Sequence, residues 1–165
     1  MVVTVPISNT SPLTNLAAIG QFDLLRRLYG RLLIAEAVWD ELNAGGRAWP
    51  GRAEVAAADW IARRAAQNRP LVTALRERLD PGEAETIALA VECQPPFVLM
   101  DEREGRRSAH RFDLKTVGVV GVLIEAKGRG LVAHVGPLLE RLRQEAGFFL
   151  SDSVMQQARA VCGEE

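Results

Sequence analysis

The amino-acid sequence predicts an α/β protein built on a parallel sheet. Three observations carry that expectation. Short apolar runs of strand length occur at residues 2–7, 32–34 and 97–100. Helical stretches lie between them, the pattern of crossover units. Polar or acidic residues follow the first and last runs directly, as Ser8-Asn9 and Asp101-Glu102. The 165 residues are 48% hydrophobic, enough for one compact domain over residues 1–165 to bury a core.

Met1, Val2, Val3, Val5 and Ile7 form the first run, closed by Ser8 and Asn9, which predicts a buried strand and a turn. Pro6 has no N–H for a ladder, so the strand is expected to be short or one-sided there. Ser11 and Pro12 suit the N-cap and first position of a helix with Leu13, Leu16 and Ala17 as its apolar stripe, ended by Gly20. A second helical piece holds Phe22, Leu24, Leu25 and Leu28 and stops at Gly30; a strand from Leu32 to Ile34 and a helix from Ala35 to Leu42 follow. Between Asn43 and Ala58, four glycines and prolines and no sustained period predict a loop holding one helical turn.

A minor strand is placed at Trp60 and Ile61. Leu71 to Leu79 reads as helix, interrupted by Asp80-Pro81-Gly82-Glu83 before another helix running to about Cys93. Phe97 to Met100, after Pro95-Pro96, gives the clearest strand. Arg103 to Phe112 is helical, Lys115 to Val117 a strand, and Val119 to Lys127 a helix closed by Gly128 and Gly130. Pro137 opens a further helix and Ser151 caps the last.

Composition narrows the function classes. The formal net charge is -1, so no whole-molecule positive field draws nucleic acid, and an anionic partner must be held locally. Cys93 and Cys162 are far apart and belong to no CxxC or Cys/His cluster, which argues against structural zinc and a disulfide scaffold. The N-terminal run lacks the basic flank and length of a signal peptide, and no segment is long enough to span a membrane. A reducing, cytoplasmic setting is expected.

In open parallel sheets, ligands bind beyond the carboxyl ends of the strands. That rule singles out Asn9 after the first strand and Asp101 with Glu102 after the Phe97 run. Glu41, beside core positions Val38 and Leu42, lies at the core's edge and can join them. On the helix after Pro81, the buried face is defined by Ala84, Ile87, Ala88 and Val91. At 100° per residue Glu83 leans toward it more than Glu85 does. Carboxylates converging on one cleft stay ionised when a hard cation such as Mg²⁺ or Mn²⁺ neutralises them, and such an ion polarises a phosphodiester and activates water.

Plainer roles compete. Asp80 and Glu83 fit a capping box, Asp101 and Glu102 the start of a helix dipole, Glu41 a solvated position and Ser11 an N-cap. Arg103, Arg106, Arg107, His110 and Arg111 read as an exposed helix face that, next to an acidic cleft, can also hold a phosphate backbone. Neither histidine has a partner that suggests metal ligation. Trp39, Trp49 and Trp60 read as packing residues rather than base-stacking ones.

The ordered set Ser8-Asn9-Thr10-Ser11-Pro12-Leu13, Val38-Trp39-Asp40-Glu41-Leu42, Gly82-Glu83-Ala84-Glu85 and Met100-Asp101-Glu102 with Gly105-Arg106 resembles the PIN-domain pattern. The likeness continues through Val117 to Leu123, Ala126-Lys127 and Gly147 to Arg159. It is nearest to a branch of unassigned function related to VapC-type toxins. The resemblance implies a three-layer sandwich with about five parallel strands, an acidic pocket for Mg²⁺ or Mn²⁺, and cleavage of RNA within a toxin–antitoxin pair. It puts Asn9 at the first acidic position, Glu41 at the second, Glu83 at the third and Asp101 or Glu102 at the fourth. Ser11 matches the small hydroxyl residue near the first, and Arg106 joins it as a substrate contact. Asn9 departs from the usual Asp and brings one formal charge fewer.

Three functions compete on these residues. The leading one is a metal-dependent endoribonuclease with Glu41, Glu83 and Asp101 anchoring the ion, Asn9 and Glu102 assisting, and water as nucleophile. The second is a weakened module that binds RNA or an antitoxin-like protein without cleaving. The third, phosphotransfer through Asp101, is disfavoured because Glu102 and Arg103 follow where a DxD pattern is needed. A homodimer is expected from the resemblance.

Overall fold

The computed structural model describes residues 2–164; Met1 of the predicted first strand and Glu165 at the end of the predicted domain lie outside them. In chain order the elements are β1 (Ile7–Ser8), α1 (Thr10–Ala18), α2 (Asp23–Tyr29), β2 (Leu32–Ala35), α3 (Glu36–Leu42), α4 (Arg52–Ala57), β3 (Ile61–Arg64) and α5 (Arg69–Leu75). Then follow α6 (Pro81–Cys93), β4 (Val98–Leu99), α7 (Arg103–Arg111), β5 (Thr116–Val117), α8 (Val119–Gly128), α9 (Gly136–Gln144) and α10 (Asp152–Val161). A single 3₁₀ turn, Ala44–Gly46, precedes α4.

The five strands form one all-parallel sheet in the order β3-β2-β1-β4-β5. Helix α6 packs against α3, α5 and α7, and α8 against α1, α2 and α10, giving the two helical layers of a three-layer α/β sandwich. Ile7, Leu32, Ile34, Val98 and Leu99 are buried in the sheet, which explains why these strands read as continuous apolar runs. The edge strand β3 ends in Arg63 and Arg64, charges that discourage further strand pairing, and the Arg63 guanidinium lies 4.3 Å over the Trp39 ring. No helix among the described residues is long and apolar enough to cross a membrane.

The order matters for function. After β1 the chain moves to β2 on one side, and after β3 it returns to β4 on the other. The β1/β4 junction is therefore the point where winding reverses, and a crevice opens beyond the carboxyl ends of those two strands.

Several local expectations need correction. The first strand is confined to Ile7–Ser8. The Pro6 carbonyl accepts a ladder bond from the Leu33 N–H, but Pro6 donates none, and upstream the Val3 N–H turns to the Cys93 carbonyl. Ser11 is not the N-cap of α1. Asn9 holds that position (φ -76°, ψ 175°), and Pro12 falls third in the helix, still within the turn whose N–H groups need no intrahelical partner. The 43–58 stretch carries the helix α4 as well as a 3₁₀ turn, β3 is four residues long, and α5 ends at Leu75. Helix α6 is buried on nearly every side from Gly82 to Ala90, so Glu85 is inside too.

Candidate functional site

Asn9 reaches the crevice because the register of β1 against β4 continues one residue further, with the Asn9 N–H donating to the Leu99 carbonyl at 2.9 Å. Its side chain makes no capping bond to α1, although Asn is a favoured N-cap. Instead its Oδ1 is buried with no hydrogen-bond partner among the described residues. A buried acceptor left in that state costs about 1–3 kcal/mol.

Glu41 comes from the last turn of α3, between the buried Val38 and Leu42 and the crevice. Two donors fix its carboxylate: the Thr10 hydroxyl on Oε2 at 2.5 Å and the Gly82 N–H on Oε1 at 2.8 Å. A Cβ at Gly82 would lie 2.6 Å from Oε1, so a larger residue there would push the Glu41 carboxylate from this position. Burial pushes the Glu41 carboxyl up and the Asp80 charge adds to this, against the opposing Thr10 hydrogen bond.

Glu83 does what the capping-box pattern predicts. Its N–H donates to Asp80 Oδ1 at 2.8 Å while its Oε1 accepts from the Asp80 N–H at 3.1 Å. Its Oε2 faces the start of α7, where a Cβ at Gly105 would meet it at 3.2 Å. Burial pushes its carboxyl up to about 7, and the Asp80 and Glu102 charges add to that shift.

Asp101 follows β4 and is tied to two helices. Ser11 Oγ donates to its Oδ2 at 3.0 Å and the Val119 N–H at the start of α8 donates to its Oδ1 at 2.8 Å. Burial raises its pKa, while the Val119 and Ser11 hydrogen bonds and the Arg106 charge oppose the rise. A Cβ at Gly118 would lie 2.9 Å from Asp101 Oδ1 and 3.0 Å from an Arg106 guanidinium nitrogen, so either side chain would have to shift to admit one. Glu102 is the exposed residue before α7, and its side chain makes no cap.

These groups fall on two adjoining hollows. One, of about 320 Å³, is walled by Asn9, Glu41, Asp80, Glu102 and Trp49 among others. The other, of about 350 Å³, holds Asn15, Asp101, Phe148 and Phe149. Ser11 and Glu102 line both, so the two hollows adjoin across these residues. Beyond Asp101 a third hollow of about 460 Å³ brings in Arg106 and the far side of Phe149. Glu83 is nearly buried, 7% exposed, behind Asp80 and the α7 turn.

Three residues of this cleft escaped the sequence reading. Asp80 was read as a capping residue alone, yet its charge raises both Glu41 and Glu83. Thr10 orients Glu41, a contact across 31 residues that no local pattern signals. Trp49 is not a packing residue: it is 39% exposed and faces the acids, unlike Trp60, which packs on Phe22 with ring centroids 5.5 Å apart. Glu85, by contrast, is buried but structural, accepting from the Ala37 and Ala66 N–H groups and pairing with Arg69.

Among the described residues, no group of three His, Cys, Asp or Glu side chains is placed to hold a metal ion. Glu41, Glu83 and Asp101 therefore do not close a direct shell around one point. The donors are nevertheless all oxygen, and the orphaned Asn9 Oδ1 is an acceptor without a donor. Such a set fits a hydrated hard cation that takes one or two carboxylates and keeps several waters, as Mg²⁺ does.

No curated protein and no solved structure matches the chain. A family model does: that of DUF3368, described as a PIN domain, matches residues 5–164. The match spans every strand of the sheet and every acid of the cleft, and it agrees with the parallel three-layer architecture; the chain belongs to this PIN-domain family, a fold of the nuclease type.

Proposed function

We propose that this chain is a divalent-metal-dependent endoribonuclease whose active site is the crevice beyond β1 and β4. The observation that carries the reading is the buried, unpartnered Asn9 Oδ1 in a cleft walled by the carboxylates of Glu41, Asp80 and Glu102. Glu41 and Asp101 would hold Mg²⁺ or Mn²⁺, with Asn9 and Glu102 contributing directly or through water and Glu83 supporting from behind. When bound, the ion supplies polarisation of a phosphodiester and a water of lowered pKa. The chain's own residues do the positioning. Thr10 and the Gly82 N–H orient Glu41, while the Ser11 hydroxyl and the Val119 N–H at the positive end of α8 orient Asp101 and oppose the upward push of burial on its pKa. Arg106, next to Asp101, supplies a guanidinium for a phosphate oxygen of the substrate.

Incubation of the purified protein with varied RNAs and Mn²⁺, beside Asp101→Asn, tests this. Cleavage by the wild type and its loss in the variant is expected; equal cleavage by both refutes it.

A second reading has its own observation. Asn9 brings a neutral carbonyl to the position the PIN pattern gives to an acid, and among the described residues no three acids are placed to hold a metal ion. On that reading the chain binds RNA or an antitoxin-like protein without cleaving. Asn9→Asp separates the two. A gain of cleavage over an already active wild type favours the enzyme, and inactivity of both forms favours the binding module.

We further read residues 1–165 as one PIN domain acting in the cytoplasm, the toxin-like member of a toxin–antitoxin pair related to VapC, and a homodimer. Co-purification with the product of the adjacent gene and light scattering test these two associations.

A further inference from the structure

We propose that Trp49 and Phe149 are base-binding residues, each receiving one unpaired base of a bound RNA on opposite sides of the acids. The inference rests on the RNA reading above and adds to it the residues that set where the strand lies.

Phe149, in the turn between α9 and α10, is 90% exposed although it is a large apolar ring. It lines both hollows that meet at Asp101. Trp49 is 39% exposed and lines the hollow on the other side, with Asn9 and Glu41. The two rings therefore lie in adjoining hollows that share Ser11 and Glu102, Trp49 with Glu41 and Asp80 and Phe149 with Asp101. Base stacking on aromatic faces is the general means by which proteins hold single strands, because every base offers a π-face.

Charge supports a nucleic-acid occupant over an apolar protein surface. The Arg47 guanidinium stacks 4.2 Å from the Trp49 ring centroid, placing a positive group at that end of an otherwise acidic cleft. At the other end, Arg106 lines the hollow that Phe149 walls. On the same helix Arg107 pairs with Glu104, whereas Arg103 and Arg111 are exposed and make no ion pair among the described residues. A phosphate backbone needs such uncommitted cations beside its stacking sites. Phe149 also borders Val120, Phe148, Leu150 and Val154, an apolar wall that suits a second copy of this chain, but Trp49 lies apart from it among the carboxylates, and the test below separates the two occupants.

The test measures affinity for an end-labelled single-stranded oligoribonucleotide by fluorescence anisotropy, with EDTA present so that binding is read without cleavage. Phe149→Ala and Trp49→Ala are each expected to weaken binding by about 5- to 150-fold. Phe149→Tyr is expected to bind as the wild type, and Phe149→Leu, which keeps apolar volume but no ring, as poorly as the alanine variant. Unchanged affinity in both alanine variants, or full affinity in Phe149→Leu, overturns the proposal. So does a wild-type dimer that Phe149→Ala converts to monomer with no change in RNA affinity, which would mark the ring as a contact between copies. Cleavage of the same RNA with Mn²⁺ is scored separately. Cleavage with ring-independent affinity removes the stacking residues and keeps the nuclease, whereas ring-dependent affinity without cleavage does the reverse.

Discussion

Ser11 Oγ donates a hydrogen bond to Asp101 Oδ2 at 3.0 Å, joining the first turn of α1 to the residue after β4 across 90 positions of sequence. The same hydroxyl accepts from Asn15 Nδ2 at 3.1 Å, so Asp101 is held by a relay from one face of α1. The charge on Asp101 is partly buried and depends on these donors.

Ser11→Ala removes the relay. It is expected to lower stability by about 1 kcal/mol, or about 2–4 °C in Tm, and to push the Asp101 carboxyl further up. Thermal unfolding of both proteins at neutral pH in EDTA checks this; an unchanged Tm would mean that water replaces the hydroxyl without loss.

Gly82→Ala places a methyl where the Glu41 carboxylate now lies. Ala has the higher helix propensity, at most about 1 kcal/mol over Gly and less in the first turn of α6, which partly offsets the cost of moving a flexible carboxylate. Stability is therefore expected to stay within about 1 kcal/mol, while cleavage falls at least about tenfold because Glu41 is displaced. Urea unfolding and RNA cleavage measured on the same preparation check the split.

Glu83 gives the metal-free protein a pH dependence of defined sign. Its folded pKa, raised to about 7 by burial with the Asp80 and Glu102 charges adding, exceeds its ordinary value of 4.5. The folded state then binds more protons than the unfolded one between these values, so this contribution is fully present below about pH 4.5 and lost as pH rises through about 7. Tm in EDTA is expected to fall across that window from this group, and Glu83→Gln to flatten the fall. A wild-type curve already flat there would contradict the assignment.

Glu85→Ala separates fold from site. The residue is 3% exposed and its carboxylate satisfies the Ala37 and Ala66 N–H groups. Loss of both acceptors is expected to cost about 2–3 kcal/mol, with cleavage per folded molecule unchanged; calorimetric unfolding and activity normalised to folded protein check it.

What the sequence disclosed follows physical lines. The Phe97 to Met100 run was legible because its strand is buried on both faces, and its abrupt end in Asp101 located the crevice. The capping box of Asp80 and Glu83 was legible because both partners lie within one helical turn. Ser11 was misread for the opposite reason: its local pattern suits a cap, but its partner lies on another element. Glu85 was misjudged because a helical wheel assumes one buried face, and α6 is enclosed by the sheet, α3, α5 and α7. Trp49 belongs to an irregular stretch beside a 3₁₀ turn, where no periodicity indicates which way a ring faces.

Whether the cleft holds a divalent ion is decided by calorimetric titration of Mn²⁺ into the metal-free wild type, Asn9→Asp and Asp101→Asn. Saturable binding to the wild type is expected, about tenfold tighter when Asn9→Asp restores a charge, and none in Asp101→Asn. Absence of binding heat in both the wild type and Asn9→Asp would contradict it.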